Sequence, residues 1–351
     1  MNFHSFLHHR EGTIQKWLKP EDFFNLFPCF VRPIKDELTS SWLYRLAHAH
    51  HLKVFTFCRI ALNNKTVWNR DIDKCITADL LYYLSIRNNI TFSEAFNTTL
   101  KSYEGILFNT LNINGGTNWI SPLGIYHRTR TRNSLMCCPS CFKECSIIYY
   151  KKAWRLSLST ICPKCKVSLI DHCPICKQPI IFHRHDIGNK NKIENSNMAS
   201  CCNCSFDFRN IIPENVNDRD HQNQVILNEL LKGKSHFNLK APTFFKILRI
   251  IIRVLNSRSK FAYPFQKEVF KQMNIRYRPS LGGYENQFEF LNILRRRELL
   301  NMSMWVMNHW PNRFININNT SKTGGFIWLN DKNIPIEFEK VIRENIVKLS
   351  S

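Results

Sequence analysis

Acidic side chains are scarce in this chain of 351 residues: 27 Asp and Glu stand against 49 Lys and Arg, a formal charge of +22. That imbalance favours a polyanionic partner: DNA, RNA or a nucleoprotein complex. Long apolar runs are missing too. None approaches the ~20 residues a bilayer requires, and the nearest, residues 244–255, is interrupted by Lys246, Arg249 and Arg253. The opening MNFHSFLHHREGTIQKWL lacks the apolar centre of a secretory leader, which argues against a disulfide framework. A soluble intracellular protein is expected, with no membrane partner. Enzyme signatures are thin as well. No G-x-x-x-x-G-K-[ST] occurs, so no P-loop ATPase is indicated, and no paired carboxylates are placed to hold two Mg²⁺. What is present is 44% hydrophobic residues with 26 Phe, enough for packed cores.

Eleven of the fourteen cysteines fall between Cys137 and Cys204. They form four C-x-x-C pairs: Cys138/Cys141, Cys162/Cys165, Cys173/Cys176 and Cys201/Cys204. Chance at this cysteine content supplies about one such pair along the whole chain. Two residues between thiolates let one tight turn aim both sulfurs at a single tetrahedral ion, and two such turns close a four-sulfur site. The separations of Cys141 from Cys162 and Cys176 from Cys201 each suit a short hairpin returning to its own metal. The simplest partition is therefore sequential, with Cys138, Cys141, Cys162 and Cys165 on one Zn²⁺ and Cys173, Cys176, Cys201 and Cys204 on a second. An interleaved pairing, first with third and second with fourth, is the alternative. Pro139, Pro163 and Pro174 fix φ inside three of the turns. Cys137, Cys145, Cys202, His172, His183 and His185 read as bystanders. Iron–sulfur runs are spaced differently, so two closed structural zinc ions per chain are expected.

The rest of the chain reads as mainly α and multidomain. Residues 1–30 form a loose N-terminal arm. Residues 31–132 form a helical, helix-turn-helix-like domain: Asp36 is a candidate N-cap, Leu38, Trp42, Leu43, Leu46 and Ala49 recur at helical spacing, and Val54 to Ala61 suggest a second helix. Such a pair serves DNA reading or simple scaffolding equally well on this pattern, with Arg45 and Lys53 as candidate contacts. A helix over 77–87 and a capping box at Thr91/Glu94 follow. Arg128, Arg130 and Arg132 alternate along HRTRTR, a candidate phosphate-contacting stretch. Residues 133–210 hold the tandem zinc-ribbon or zinc-knuckle region; there Lys151 and Lys152 accompany Trp154, which is expected in the core. Residues 211–351 form a C-terminal helical domain. Its candidate contacts are Lys246, Arg249 and Arg253 at i, i+3, i+7, and the run Arg295, Arg296 and Arg297. The last thirty residues read as short strands or coil.

Taken together, DELTSSWLYRLAHAHHL, MCCPSCFKE, KKAWRLSLSTICPKCKVSLIDHCPICKQPI and HWPNRF resemble the TniQ family of transposon target-selection proteins, which includes the TnsD branch. The resemblance covers roughly residues 31–315, and its cysteine block is the most specific part. That family commonly carries histidine where Cys165 stands, a substitution a thiolate makes without loss of tetrahedral geometry. Little sequence follows HWPNRF, so the further DNA-binding region of long TnsD-type members is expected to be missing. The shorter members that work with an RNA-guided CRISPR effector are the better match.

What the resemblance implies is a non-catalytic adaptor, bacterial and cytoplasmic, at the nucleoid when active. Such proteins sit on the Cascade complex with its crRNA and target DNA, often as a head-to-tail homodimer. They recruit the AAA+ regulator TnsC, which engages the transposase. A stand-alone, TnsD-like sequence-specific DNA binder is the alternative. A zinc-ribbon nuclease or recombinase subunit is a third reading, which magnesium-dependent cleavage by the isolated chain would favour.

Overall fold

The computed structural model describes residues 26–62, 67–123, 132–185, 197–276, 287–329 and 333–346. Most of the N-terminal arm, and with it Arg128 and Arg130, lies outside the described residues. Among the described residues helices dominate, and the one sheet is a two-stranded antiparallel ladder. A contiguous cluster of buried apolar side chains extends through the N-terminal, cysteine-rich and C-terminal stretches.

The chain enters the core through α1, Thr39–Ala49, in which Thr39 to Tyr44, Leu46 and Ala47 are all buried. Helix α2, Val54–Ala61, packs against it across a short turn and buries Val54, Phe57 and Cys58. The N-cap of α1 is Leu38 rather than Asp36, which adopts a left-handed φ of 64°. Asp36 instead turns its carbonyl toward the cysteine-rich region, accepting the Lys152 N–H at 2.7 Å. Helix α3, Ile72–Cys75, delivers Asp73 to the interior. Helix α4, Ala78–Arg87, is capped by Thr77, whose hydroxyl accepts the Leu80 N–H. Helix α5, Phe92–Phe96, opens on the expected box, with Thr91 and Glu94 satisfying each other's backbone N–H groups.

In the cysteine-rich region α6, Pro139–Glu144, starts with proline at its first position, where no N–H partner is needed. Strands β1, Ile161–Cys162, and β2, Val167–Ser168, pair Ile161 with Ser168 and Cys162 with Val167.

Beyond it, α7, Asp218–Leu231, is capped by Asn217, whose side chain accepts the Asp220 N–H; Gly233 ends the turn that follows at φ 81°. Helix α8, Ala241–Leu255, is apolar over most of its surface and packs against α10, Ile293–Met307. Helix α9, Tyr263–Gln272, packs on α11, Asn312–Ser321. The expected coil at the C-terminus is helical instead: α12, Phe326–Leu329, and α13, Ile336–Asn345. Both close an aromatic core. Trp328 sits 4.8 Å from Phe265 and 4.9 Å from Phe314, and Phe314 lies 5.3 Å from Phe338. Each of these rings is fully buried, a gain of roughly 1.5–3 kcal/mol apiece. Among the described residues no helix is long and apolar enough to cross a membrane.

Candidate metal centres

The fold gathers the cysteines into two groups of four, and the partition is the sequential one. Cys138, Cys141, Cys162 and Cys165 form the first, and Cys173, Cys176, Cys201 and Cys204 the second, each with its sulfurs within 4.8 Å of one another.

The first group is held by a helix and a hairpin. Cys138 is the N-cap of α6 and its Sγ accepts the Cys141 N–H at 3.4 Å, so the helix start aims both sulfurs the same way. Opposite it, the β1–β2 turn presents Cys162 and Cys165, at 3.6 and 3.5 Å from the Cys141 sulfur. The second group is built from two turns without a helix. Cys173 lies 3.6 Å from Cys204, and Cys176 lies 3.5 Å from Cys201. Three of the four turns close identically. The N–H of Lys166, Lys177 or Ser205 bonds back to the carbonyl of the first cysteine of its pair, at 2.9, 3.0 and 2.9 Å. Each of these residues follows the second cysteine directly, in a left-handed conformation with φ of 55°, 60° and 61°. This reversal turns both side chains of the pair toward one point.

Sulfurs 3.5–3.6 Å apart are not cross-linked, since a disulfide bond measures ~2.0 Å. The separation is close to the ~3.8 Å edge of a tetrahedron with metal–sulfur bonds of ~2.3 Å. Electrostatics point the same way. Hydrogen bonds from the Cys138 and Cys141 thiols hold the Cys162 sulfur down at about 2, whereas burial and the nearby Cys162 charge push Cys165 up to about 12. Four sulfurs in this volume do not all ionise on their own, and a dication removes that conflict. The donor set is soft and leaves no open position, which suits a metal such as zinc in a structural role.

Lys151 was expected to reach toward nucleic acid. Its Nζ lies 3.8 Å from the Cys141 sulfur and 5.5 Å above the Trp154 ring, so it places a positive charge beside the first centre. Cys137 is buried in a short backbone bridge to Ile170, outside both groups. His183 packs flat against Trp68 at 4.8 Å, and His172 meets Asp171 at 2.6 Å.

The residues that the DELTSSW and KKAWR segments contribute turn out to clamp α1 to the first centre, an arrangement invisible in periodicity. The Ser41 hydroxyl donates to Glu37 at 2.8 Å and accepts the Tyr150 N–H at 3.0 Å. Buried Glu37 is gripped by Arg45 through two bonds of 2.8 and 2.6 Å, so Arg45 faces inward. Ser40 donates its N–H and hydroxyl to Asp73 at 2.8 and 3.0 Å. Arg155, fully buried, then ties Asp73 at 2.9 Å to Asp71 at 3.0 and 2.6 Å. The only sequence cue was the Arg following Trp154.

The remaining candidate contacts fall into two sets. Lys152 is buried, with Nζ on the Ser102 hydroxyl at 2.7 Å, and Arg132 stacks over Phe290 at 4.4 Å. Arg296 and Arg297 do not form the surface run their sequence suggested. Arg296, 1% exposed, donates to the Ser157 carbonyl at 2.8 Å, and Arg297 bonds the Ser168 hydroxyl and Glu214. Arg295 alone of the three stands at the side of α10, paired with Glu298 at 3.0 Å. Lys246, Arg249 and Arg253, by contrast, line an open cleft with one another.

Two closed four-sulfur groups set in a helical body are what this fold offers a structural metal. The sequence model of one family, TniQ, matches residues 28–169. Over that span the chain is similar to the TniQ family. No curated protein matches the chain.

Proposed function

We propose that this chain is the non-catalytic target-selection adaptor of a CRISPR-associated, Cascade-type transposon. In this reading it rests on the RNA-guided complex and its crRNA and hands the marked site to the AAA+ regulator TnsC and so to the transposase. The observation that carries the adaptor role is the family match over residues 28–169, together with what that span does. Its residues Glu37, Ser40, Ser41 and Arg155 are spent on internal clamping, and the four-sulfur group within it is closed. Such a body positions surfaces for other macromolecules.

A protein-docking surface is supported at the C-terminal end. There Phe261 and Phe326, 51% and 57% exposed, meet edge to face at 5.0 Å. Co-expression with a Cascade-type complex and its crRNA is the test. Stoichiometric co-purification, with TnsC captured only when both are present, is the expected result. Nanomolar sequence-specific DNA binding by the purified chain alone would support the stand-alone, TnsD-like reading instead.

A further inference from the structure

A cleft of about 880 Å³ opens between the segment 107–119 and helix α8. Its two walls differ in kind. One is cationic: Lys246, Arg249 and Arg253 on successive turns of α8, continued by Arg258. The facing wall carries exposed carboxamides, among them Asn109, Asn112 and Asn118, with Gln287 at one end. No Asp or Glu is among the described residues that line it. Phe108, half-buried, offers a ring on the rim, and buried Trp119 and Phe288, 5.6 Å apart, make the floor rigid.

Arg249 has a separate task. It binds Glu289 at 2.5 and 3.2 Å and covers the Trp119 ring at 5.4 Å, while Glu289 also accepts the Trp119 N–H at 2.7 Å. That knot pins α8 to the opposite wall and sets the width of the cleft. Lys246 and Arg253 flank it.

We propose that this cleft binds a short stretch of single-stranded nucleic acid, its phosphates along α8 and its bases toward the carboxamide wall and Phe108. The seven-residue interval from Lys246 to Arg253 spans about 10.5 Å of helix axis, so the two cations can meet separate phosphates of one strand. The volume lies in the ~300–1,000 Å³ range of sites that enclose a compact ligand, so it admits a few nucleotides. A duplex, whose major groove alone is ~12 Å wide, does not enter. Carboxamides carry donors and acceptors together and so suit the mixed donor and acceptor edges of bases. The proposal rests on charge and shape and is independent of the targeting role.

The test is fluorescence anisotropy on the full chain with labelled oligothymidylate, oligouridylate and a duplex of equal length, between ~50 and ~200 mM salt. The expected result is tighter binding of the single strands than of the duplex. In the double variant Lys246→Glu/Arg253→Glu, single-strand affinity should fall at least ~tenfold and the salt slope shrink by about 1.4. Preference between the two oligonucleotides shows whether the strand is DNA or RNA. The control Lys267→Glu/Lys271→Glu makes the same charge change on α9, away from the cleft, and should cost little. The neutral pair Lys246→Gln/Arg253→Gln decides the matter if the reversed pair loses its fold. Equal losses in cleft and control variants, duplex binding as tight as single-strand binding, or oligoglutamate binding as well as oligonucleotide would each overturn the proposal.

Discussion

The two sulfur groups share a ligand set and differ in their surroundings. Three cysteines of the first are buried, at 0%, 1% and 1% exposure for Cys138, Cys141 and Cys162. Helix α6 supplies one half of it, and Lys151 stands beside it. All four of its ligands fall inside the family-matched span 28–169, and none of the second group's does. In the second, Cys204 is exposed and Cys176 half-buried, and the turns are closed by backbone bonds and by the Asn203 N–H donating to the Cys201 sulfur at 3.4 Å. The lesson is a hierarchy of degree: three ligands of the first centre are buried, against two of the second, Cys173 and Cys201.

The largest effect that would sharpen this contrast is loss of a buried ligand. Cys138→Ser should lose one zinc equivalent by elemental analysis and unfold the span around α1 and α6, because structural zinc contributes ~10–16 kcal/mol against a total stability of ~5–15 kcal/mol. Cys204→Ser should also lose one equivalent yet keep its far-ultraviolet helical signal, with a lower melting temperature. If the two variants melt alike, the hierarchy is broken. Next in size comes the clamp. Arg155→Ala leaves Asp71 and Asp73 without their cation and should cost about 3–5 kcal/mol in denaturant unfolding. Arg155→Lys should recover little of that loss, since one ammonium cannot make the forked contacts of the guanidinium.

The smallest effect concerns pH. Burial pushes the Asp73 carboxyl up from 3.8 to about 6, against the pull of Arg155. The folded chain therefore keeps a proton that the unfolded chain releases over that window. Its contribution favours folding below the unfolded value and is lost as pH rises through about 6, a change of roughly 2–3 kcal/mol. Asp73→Asn should flatten the stability profile between those limits, and an unchanged slope would show that Asp73 does not titrate there.

The sulfur pairing was legible because two-residue spacing and loop length are local properties of the chain. The α1–α2 pair and the Thr91 box were legible for the same reason. What escaped was burial. The run Arg295, Arg296, Arg297 looked like a surface stripe, but adjacent residues on a helix are turned by about 100° from one another, so the three cannot share a face. The C-terminal helix α13 was also within reach: Phe338, Ile342 and Ile346 recur at intervals of four and are all buried. Asp36 misled because a residue type that caps helices also tolerates the left-handed turn it occupies here. The Ser40–Asp73–Arg155 chain had no cue beyond the Arg after Trp154, since its members are brought together only by tertiary packing.

Arg296 and Arg297 carry a mechanical consequence. From neighbouring positions of α10 they reach Ser157 and Ser168, on two sides of the hairpin that bears Cys162 and Cys165. The C-terminal helices and the sulfur cage therefore share two buried guanidinium contacts, so a displacement of α10 must either carry the hairpin with it or break them.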